Sequence, residues 1–425
     1  MRVLVLGSGG REHALVRRLS ADPDVTVIAA PGNPGIAGIA PVFPVNSTDP
    51  DAVLAVVAQQ EVDLTVVGPE LPLSVGIADA FARAGRLLLG PTAAAARLET
   101  SKAFAKAFMA RHGVPTARFH TADSADDVLA VVRSGSFGFP VVIKADGLAA
   151  GKGVVIATSL PDAEEAVLAA MTGNRFGSAG NRVVIEECLT GPEVSFFVLS
   201  DGTRALPIGT AQDHKRIFDN DEGPNTGGMG AFAPSPLMTS ALHAQVMREV
   251  VDPVIAGMAA EGHPFQGFLY VGLMLTPSGP RVIEFNVRLG DPEAQVILPR
   301  IADPLTPLLA AAARGSLEAS TCALADDVQV GVVIASRGYP ESSESGQPIR
   351  GIAEAEAMGT SVIHAGTAEH GGQVVTNGGR VLTVVASGAR FSDAIDRAYA
   401  GVRAISFDGM QYRTDIGRKA LAISG

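Results

Sequence analysis

The chain has 425 residues, 47% of them hydrophobic, with 48 Gly, 27 Pro, no Trp and a net charge of −11. That length exceeds one ordinary core and predicts two to four domains, while scarce aromatics and the acidic balance exclude nucleic acid as a partner. Cys188 and Cys322 make neither a disulfide framework nor a zinc cage, and the eight histidines show no H-x-x-x-H spacing. The opening M-R-V-L-V-L-G is too short for a signal-peptide core, and no later run reaches the roughly eighteen apolar residues of a membrane span. The expectation is a cytoplasmic protein with no membrane partner.

In chain order, the spacing predicts a strand over 2–6, a turn over 7–10 and a helix over 11–20. A strand over 25–29 then leads into the loop P-G-N-P-G at 31–35. Strands over 63–67 and 86–89 follow helices near 50–60 and 74–84, an alternation that implies a parallel sheet covered on both faces. After a helix over 101–111 come strands over 140–144, 154–157, 183–187 and 194–199, with a helix near 162–171. Asp201-Gly202 reads as a hairpin turn. The Gly/Pro/Asn-rich stretch 209–236 carries little regular pattern, and a loop of that length inside a domain points to function. A helix near 239–261, strands over 268–275 and 281–286 and a helix near 304–314 complete this region. From about 328 a third pattern begins, with V-G-V-V-I-A, R-V-L-T-V-V-A and the helix F-S-D-A-I-D-R-A-Y-A-G-V.

Four segments bear on chemistry. K-A-D-G-L-A-A-G-K-G at 144–153 has the composition of a phosphate loop, but a Walker A pattern needs Gly at Asp146 and Ser or Thr at Gly153. Lying between two strands, it reads as a hairpin whose glycines and lysines could close over phosphate. The same composition fits a surface hairpin with solvated lysines equally well. V-L-V-L-G-S-G-G-R-E-H-A lacks the third glycine of a dinucleotide fingerprint, where Glu12 stands, and no acidic residue ends the second strand. The helix start at Gly9, Gly10 and Arg11 remains able to take a phosphate, with a plain strand-to-helix turn as the alternative.

In R-V-I-E-F-N-V-R-L-G-D-P-E-A-Q, period-two alternation places Glu284, Asn286 and Arg288 on one face and Ile283, Phe285 and Val287 in a core. A carboxylate and an amide oxygen are hard-oxygen magnesium ligands, with a cation beside them for an anion. The solvent face of an amphipathic strand is the bland alternative, and the abrupt G-D-P-E turn weighs against it. In I-E-E-C-L-T-G-P-E, 185–193, a strand ending in carboxylates could offer its backbone to an adenine edge, or be an ordinary strand end.

Together and in this order, the segments resemble the ATP-grasp superfamily and, more narrowly, the phosphoribosylamine–glycine ligases. The residues that carry the resemblance are G-S-G-G-R-E-H-A at 7–14, P-G-N-P-G at 31–35, V-V-G-P-E-L-P-L at 66–73 and K-A-D-G-L-A-A-G-K-G-V at 144–154. Two longer motifs complete it, Q-D-H-K-R-I-F-D-N-D-E-G-P-N-T-G-G-M-G at 212–230 and R-L-G-D-P-E-A-Q at 288–295. Cys188, Pro192 and Ala294 depart from the usual pattern. The resemblance implies an α/β protein with an N-terminal parallel α/β domain (1–101), an ATP-grasp domain (102–325) with a flap at about 115–188, and a small C-terminal α/β domain (326–425).

It further implies ATP as co-substrate, held at Lys102, Lys144, Gly147, Gly151, Lys152, Gly153, Glu187, Leu189 and Glu193. Glu284 and Asn286 would bind Mg²⁺, with Mn²⁺ as an alternative, and Arg288 would steady the transferred phosphoryl group. Asp213, Lys215 and the loop carrying Asn225, Gly227, Gly228 and Met229 would position glycine and 5-phosphoribosylamine. Gly9, Arg11, Asn33 and Glu70 would serve the ribose-phosphate end. The implied reaction joins glycine to the amine at the expense of ATP, and the implied state is a monomer. Three rivals are weighed against it. A nicotinamide oxidoreductase lacks its fingerprint. A biotin-dependent carboxylase shares the expected fold but not R-L-G-D-P-E-A-Q. A non-enzymatic nucleotide-binding regulator would be expected to lose Glu284, Asn286 and Arg288, all present here.

Overall fold

Strands of alternating Val and Leu with no polar face must be buried on both sides, and the first sheet is built that way. The computed structural model describes residues 1–147, 153–171 and 181–424. Strands β1 (Arg2–Gly7), β2 (Thr26–Pro31), β3 (Leu64–Val67) and β4 (Leu88–Leu89) are all parallel, in the order β2-β1-β3-β4. Val3 and Val5 belong to one core, Leu4 and Leu6 to another. The helix expected over 74–84 is two shorter ones, Glu70–Ser74 and Ile77–Arg83, broken at Gly76.

A second, antiparallel sheet has its own core. It comprises β5 (Phe119–Ala122), β6 (Val141–Ala145), β7 (Val154–Ala157) and β8 (Val183–Glu187) in the order β5-β8-β6-β7. Helices Ala125–Arg133 and Leu160–Met171 supply Val128, Leu129, Val132 and Val167 to pack on Val141, Ile143, Val183 and Ile185. Strand β5 and the first helix escaped the sequence reading. The helix had a signal in Ser124, whose hydroxyl accepts from Asp127 N–H at the N-cap before an apolar run. β5 is a short edge strand with little buried surface.

Residues 188–192 carry the chain from this flap sheet into the main one. Gly191 has φ 149°, and a Cβ there would lie 2.1 Å from Leu275 O, so no side chain fits the crossing. The main sheet starts with β9 (Glu193–Asp201) and β10 (Ala205–Asp213), a hairpin turned at Asp201-Gly202. A short pair, β11 (Arg216–Phe218) and β12 (Glu222–Asn225), precedes β13 (Gly230–Ala233), β14 (Gln266–Thr276), β15 (Gly279–Asn286) and β16 (Val328–Ala335). Strand β17 (Ser361–His364), the hairpin β18 (Thr367–His370) and β19 (Gln373–Thr376), and β20 (Arg380–Gly388) finish the set. The order β15-β14-β9-β10-β13-β16-β20-β17 makes one eight-stranded sheet that runs from the central region into the C-terminal one through the β13–β16 pair. The stretch 209–236 is therefore not structureless. Within it β11 and β12 pair with each other, while β13 lies between β10 and the distant β16.

Both faces of β9 are buried. Phe197 and Leu199 share the core of Val3 and Val5, while Phe196 and Val198 share that of Leu4 and Leu6. The N-terminal sheet and the main sheet are thus held as one body. The C-terminal region is bolted on as well: His364 N–H donates to His13 Nδ1 (2.8 Å), and Asn33 Nδ2 donates to His364 O (3.0 Å).

Burial, joined by the charges of His364 and Arg17, drives the His13 pKa down to about 3, and burial takes His364 to about 4. A histidine neutral in the fold but free to protonate when unfolded contributes stability above pH 6.5, lost as pH falls toward its folded value. In urea denaturation, His13→Asn should therefore be less stable than wild type at pH 7. The gap should narrow by on the order of 2 kcal/mol between pH 6.5 and 4.5. A gap independent of pH would contradict this assignment.

Candidate active site

The cleft between the flap sheet and the end of β15 gathers the cations. Lys144 leaves the end of β6, where its Nζ donates to Ile283 O (3.2 Å) and pairs with Glu186 (2.8 Å). That carbonyl is available because β15 carries a bulge there. The β14 register shifts between Gly272 and Leu273, leaving Ile283 as the extra residue. Ile283 is accordingly only half-buried, not in the core as alternation predicted, while Phe285 and Val287 are buried. Lys102 opens helix Lys102–Arg111 and donates to Gly147 O (2.8 Å). Burial lowers its pKa, and Lys144 lowers it further. Gly153 accepts from Ala145 N–H (2.9 Å), closing the base of the hairpin. Gly151 and Lys152 lie outside the described residues.

Asp146, the residue that broke the Walker pattern, caps that helix. Its carboxylate accepts from Ala103 N–H (3.1 Å) and Ser101 Oγ (3.2 Å). The helix N-terminus is thus filled by a protein carboxylate, and stabilising a phosphate falls to the lysines.

Glu186, rather than Glu187, faces the cleft. Val183 and Ile185 point into the flap core, so period two turns Glu186 the other way. It is bracketed by Lys144 and by Lys106, each at 2.8 Å, and Lys106 also donates to Thr116 Oγ1 (2.7 Å). Burial pulls the Lys106 pKa down to about 8. Glu187 turns to Arg118, accepting from its backbone N–H (2.9 Å) and its Nε (2.7 Å), and its own N–H is taken by Arg118 O. Leu189 sits in the crossing segment, half-buried.

At the end of β15, Asn286 and Arg288 meet a residue the sequence reading missed. Glu99 is almost fully enclosed and accepts from Val287 N–H (2.7 Å) and Arg288 Nη2 (2.9 Å). The Asn286 amide is satisfied when its nitrogen donates to Glu99 Oε1 (3.3 Å) and Phe285 O (3.1 Å). Its oxygen is then turned away from both acceptors. Arg288 also pairs with Glu70 (3.3 Å). Burial raises the Glu99 pKa against the pull of Arg288. Glu70, by contrast, is held low by Arg288 and Arg11 despite its burial. No pattern around R-L-E-T at 97–100 marks Glu99, since its partners lie nearly two hundred residues away.

Lys215 forms the next knot. Its ammonium bonds Glu193 (2.8 Å) and lies 3.8 Å from Glu284, whose half-exposed carboxylate opens on the cleft. Burial would raise the Glu284 pKa, but Lys215, Lys144, Lys102 and Arg288 together hold it low. Asp213 is pushed up to about 7, first by burial, with Lys215 pulling it down and Glu293, Glu193 and Glu284 adding to the rise. The loop after β12 is strung on the same residue: Thr226 N–H and Oγ1 both donate to Lys215 O (2.7 and 2.9 Å). Asn225 pairs with Arg216 in the β11–β12 ladder, and Met229 N–H donates to His214 O.

The N-terminal turn is already self-satisfied. Glu12 folds back so that Gly9 N–H (2.5 Å) and Arg11 Nε (2.6 Å) donate to its carboxylate. A Cβ at Gly68 would lie 2.1 Å from that carboxylate. Arg11 N–H points at Asp291 (3.4 Å), and Arg11 Nη1 donates to Leu289 O (3.1 Å). Asn33 caps the next helix, accepting from Ile36 N–H (2.9 Å) and donating to Ser8 O (2.8 Å). Lys102, Lys144, Lys215, Glu193, Asp213, Glu284, Asn286 and Arg288 thus surround one cleft. Glu70 joins them through Arg288, while Arg11 meets Asp291 and Leu289 and Asn33 is taken up by Ser8, Ile36 and His364.

Family models match most of the chain. Residues 1–99, 100–294 and 329–419 match the N, ATP-grasp (A) and C domains of phosphoribosylglycinamide synthetase. A phosphoribosylamine–glycine ligase from Xylella fastidiosa is 51% identical, over 99% of this chain and 98% of its own length. A crystal structure of phosphoribosylamine–glycine ligase from Thermotoga maritima aligns with a TM-score of 0.86 at 34% identity, covering 98% of this chain and 100% of that one. The biotin carboxylase domain of a Hydrogenobacter thermophilus 2-oxoglutarate carboxylase aligns at 0.73, covering 97% and 91%, but with 16% identity shares the fold alone. Since a match at this level covers the chain almost from end to end, the chain belongs to the phosphoribosylamine–glycine ligase family of ATP-grasp enzymes.

Proposed function

We propose that the protein ligates glycine to 5-phosphoribosylamine, giving glycinamide ribonucleotide, ADP and phosphate, as a cytoplasmic monomeric enzyme of purine biosynthesis. A carboxylate is a poor acylating agent. The γ-phosphoryl of ATP therefore passes to a glycine carboxylate oxygen, with ADP leaving. The amine then attacks the acyl carbon, loses a proton and expels phosphate. Charge in phosphoryl transfer spreads over non-bridging oxygens and is stabilised by fixed cations without a protein nucleophile. Lys102, Lys144 and Arg288 serve that role, while Lys215 and Asp213 orient the glycine side. The observation that carries the reading is the contact of Lys144 with Ile283 O, which sets a phosphate-seeking cation one residue from Glu284.

The residues fit a magnesium ion shared with substrate. Glu284 is an ionised carboxylate and Asn286 offers an amide oxygen freed by the pairing of its nitrogen. No group of three or more His, Cys, Asp or Glu able to hold a metal is found among the described residues. Two oxygen ligands completed by phosphates and water are a usual magnesium arrangement, and when bound the ion neutralises charge on those phosphates.

Incubation with ATP, Mg²⁺, glycine and freshly generated phosphoribosylamine should yield ADP, phosphate and glycinamide ribonucleotide. Formation of AMP, or turnover indifferent to glycine, would overturn the proposal. Glu284→Gln should cut metal-dependent turnover on the order of a hundredfold, with the melting temperature little changed. Equal loss of activity and folding would reduce Glu284 to a structural residue. Glu186→Gln leaves two buried lysines facing each other without their carboxylate. It should cost about 3 kcal/mol of stability, read by urea denaturation, and weaken ATP binding as well. Unchanged stability would mean the Lys106–Glu186–Lys144 chain carries no weight.

A further inference from the structure

Arg380, the first residue of β20, joins the C-terminal region to two segments beside the cleft. Arg380 Nη1 donates to Gly227 O (2.7 Å) and to Asp291 O, and lies 3.4 Å from Asp291 Oδ1. One amino group therefore ties the loop after β12 to the G-D-P-E turn. The loop is gripped from the same region a second time, because Gly227 N–H donates to Tyr339 Oη (2.9 Å). The joint is tightly packed. A Cβ on Gly227 would sit 3.1 Å from Arg380 Cζ, and one on Gly228, at φ 113°, would sit 2.4 Å from Pro292 Cδ. The side chains of Arg380 and Asp291 are only 22% and 15% exposed, so water screens the pair weakly.

Both anchored segments lead onward. Through Thr226 the loop is bonded to Lys215 O, and the Lys215 ammonium holds Glu193. Asp291 accepts from Gln295 Nε2 (2.8 Å) and faces Arg11 N–H across the N-terminal boundary. Burial would raise the Asp291 pKa, yet Arg380 first and Arg11 second keep it low. Among the described residues, no hydrogen bond or ion pair of Arg380 reaches Lys102, Lys144, Glu186 or the flap. Its influence falls on the side of the cleft away from the ATP lysines.

We propose that Arg380 is a positioning residue for the acceptor half of the reaction: from the C-terminal region it holds the 226–229 loop and the 291–292 turn in the register that receives phosphoribosylamine. This rests on the ligase reading above. It also assigns the C-terminal region a part in the reaction without direct substrate contact.

The test compares full-length wild type, Arg380→Gln and Arg380→Lys by steady-state kinetics in each substrate, ATP binding by calorimetry, and thermal melting. Arg380→Gln should lower kcat/KM for phosphoribosylamine by about tenfold or more, the worth of hydrogen bonds from a charged group. ATP affinity should stay within about twofold, as expected for a residue remote from the nucleotide. Arg380→Lys, which keeps the charge but not the fork, should recover part of the loss. Unchanged kinetics in an active background would overturn the proposal alone. So would a loss shared equally by ATP affinity and melting temperature, which would mark Arg380 as merely structural. Wild type that forms no glycinamide ribonucleotide would overturn the ligase reading and this proposal with it.

Discussion

Lys102, Lys144, Lys215 and Arg288 are crowded around the end of one strand, and every one of them is held by a carboxylate or a carbonyl. Everything else in the cleft follows from that constraint. Buried cations repel one another, and each alone would lose its proton or unfold its surroundings. Glu186, Glu193, Glu284 and Glu99 share out that charge, which is why four cations can stand together in a partly buried cleft. The carboxylates set the positions of the lysines, and the lysines in turn keep Glu284 ionised.

The same sharing of charge explains why neither helix start, at Gly10 or at Lys102, is left open as a helix-dipole anion site. At Gly10–Ser20 the position goes to Glu12, and at Lys102–Arg111 to Asp146. A carboxylate at a helix start satisfies the free N–H groups that a phosphate would otherwise use. Glu12 stands where the dinucleotide fingerprint has its third glycine, and Asp146 where the Walker pattern has its first. The residues that break both patterns are the ones that fill the sites.

The frame that holds the cleft is legible in the sequence where burial is two-sided. The V-L-V-L strand, the F-F-V-L strand and V-G-V-V-I-A read directly, because each needs apolar partners on both faces. Less legible are β11, β12 and β13, whose Gly, Pro and Asn residues bond to strands far along the chain or to each other. The bulge at Ile283 is likewise invisible to alternation, since one extra residue in a strand has no signature in residue type. Within the cleft, Glu284, Asn286 and Arg288 stand out by spacing. Glu186 was within reach of the same period-two rule, had it been applied from Val183 and Ile185.

By itself, the sequence determined that there is a parallel N-terminal sheet, that residues 144–153 do not spell a Walker pattern, and that a carboxylate, an amide and a guanidinium recur at a spacing of two over 284–288. Local spacing suffices for these, because a period of two or the absence of a glycine is read within a few residues. Only the tertiary structure decided that Glu99 receives Asn286 and Arg288, that Glu186 lies between two lysines, and that Arg380 reaches back to Gly227 and Asp291. Those pairings join groups tens to nearly two hundred residues apart. Which charge faces which is settled by how the sheets pack, and no local pattern of residues carries that information.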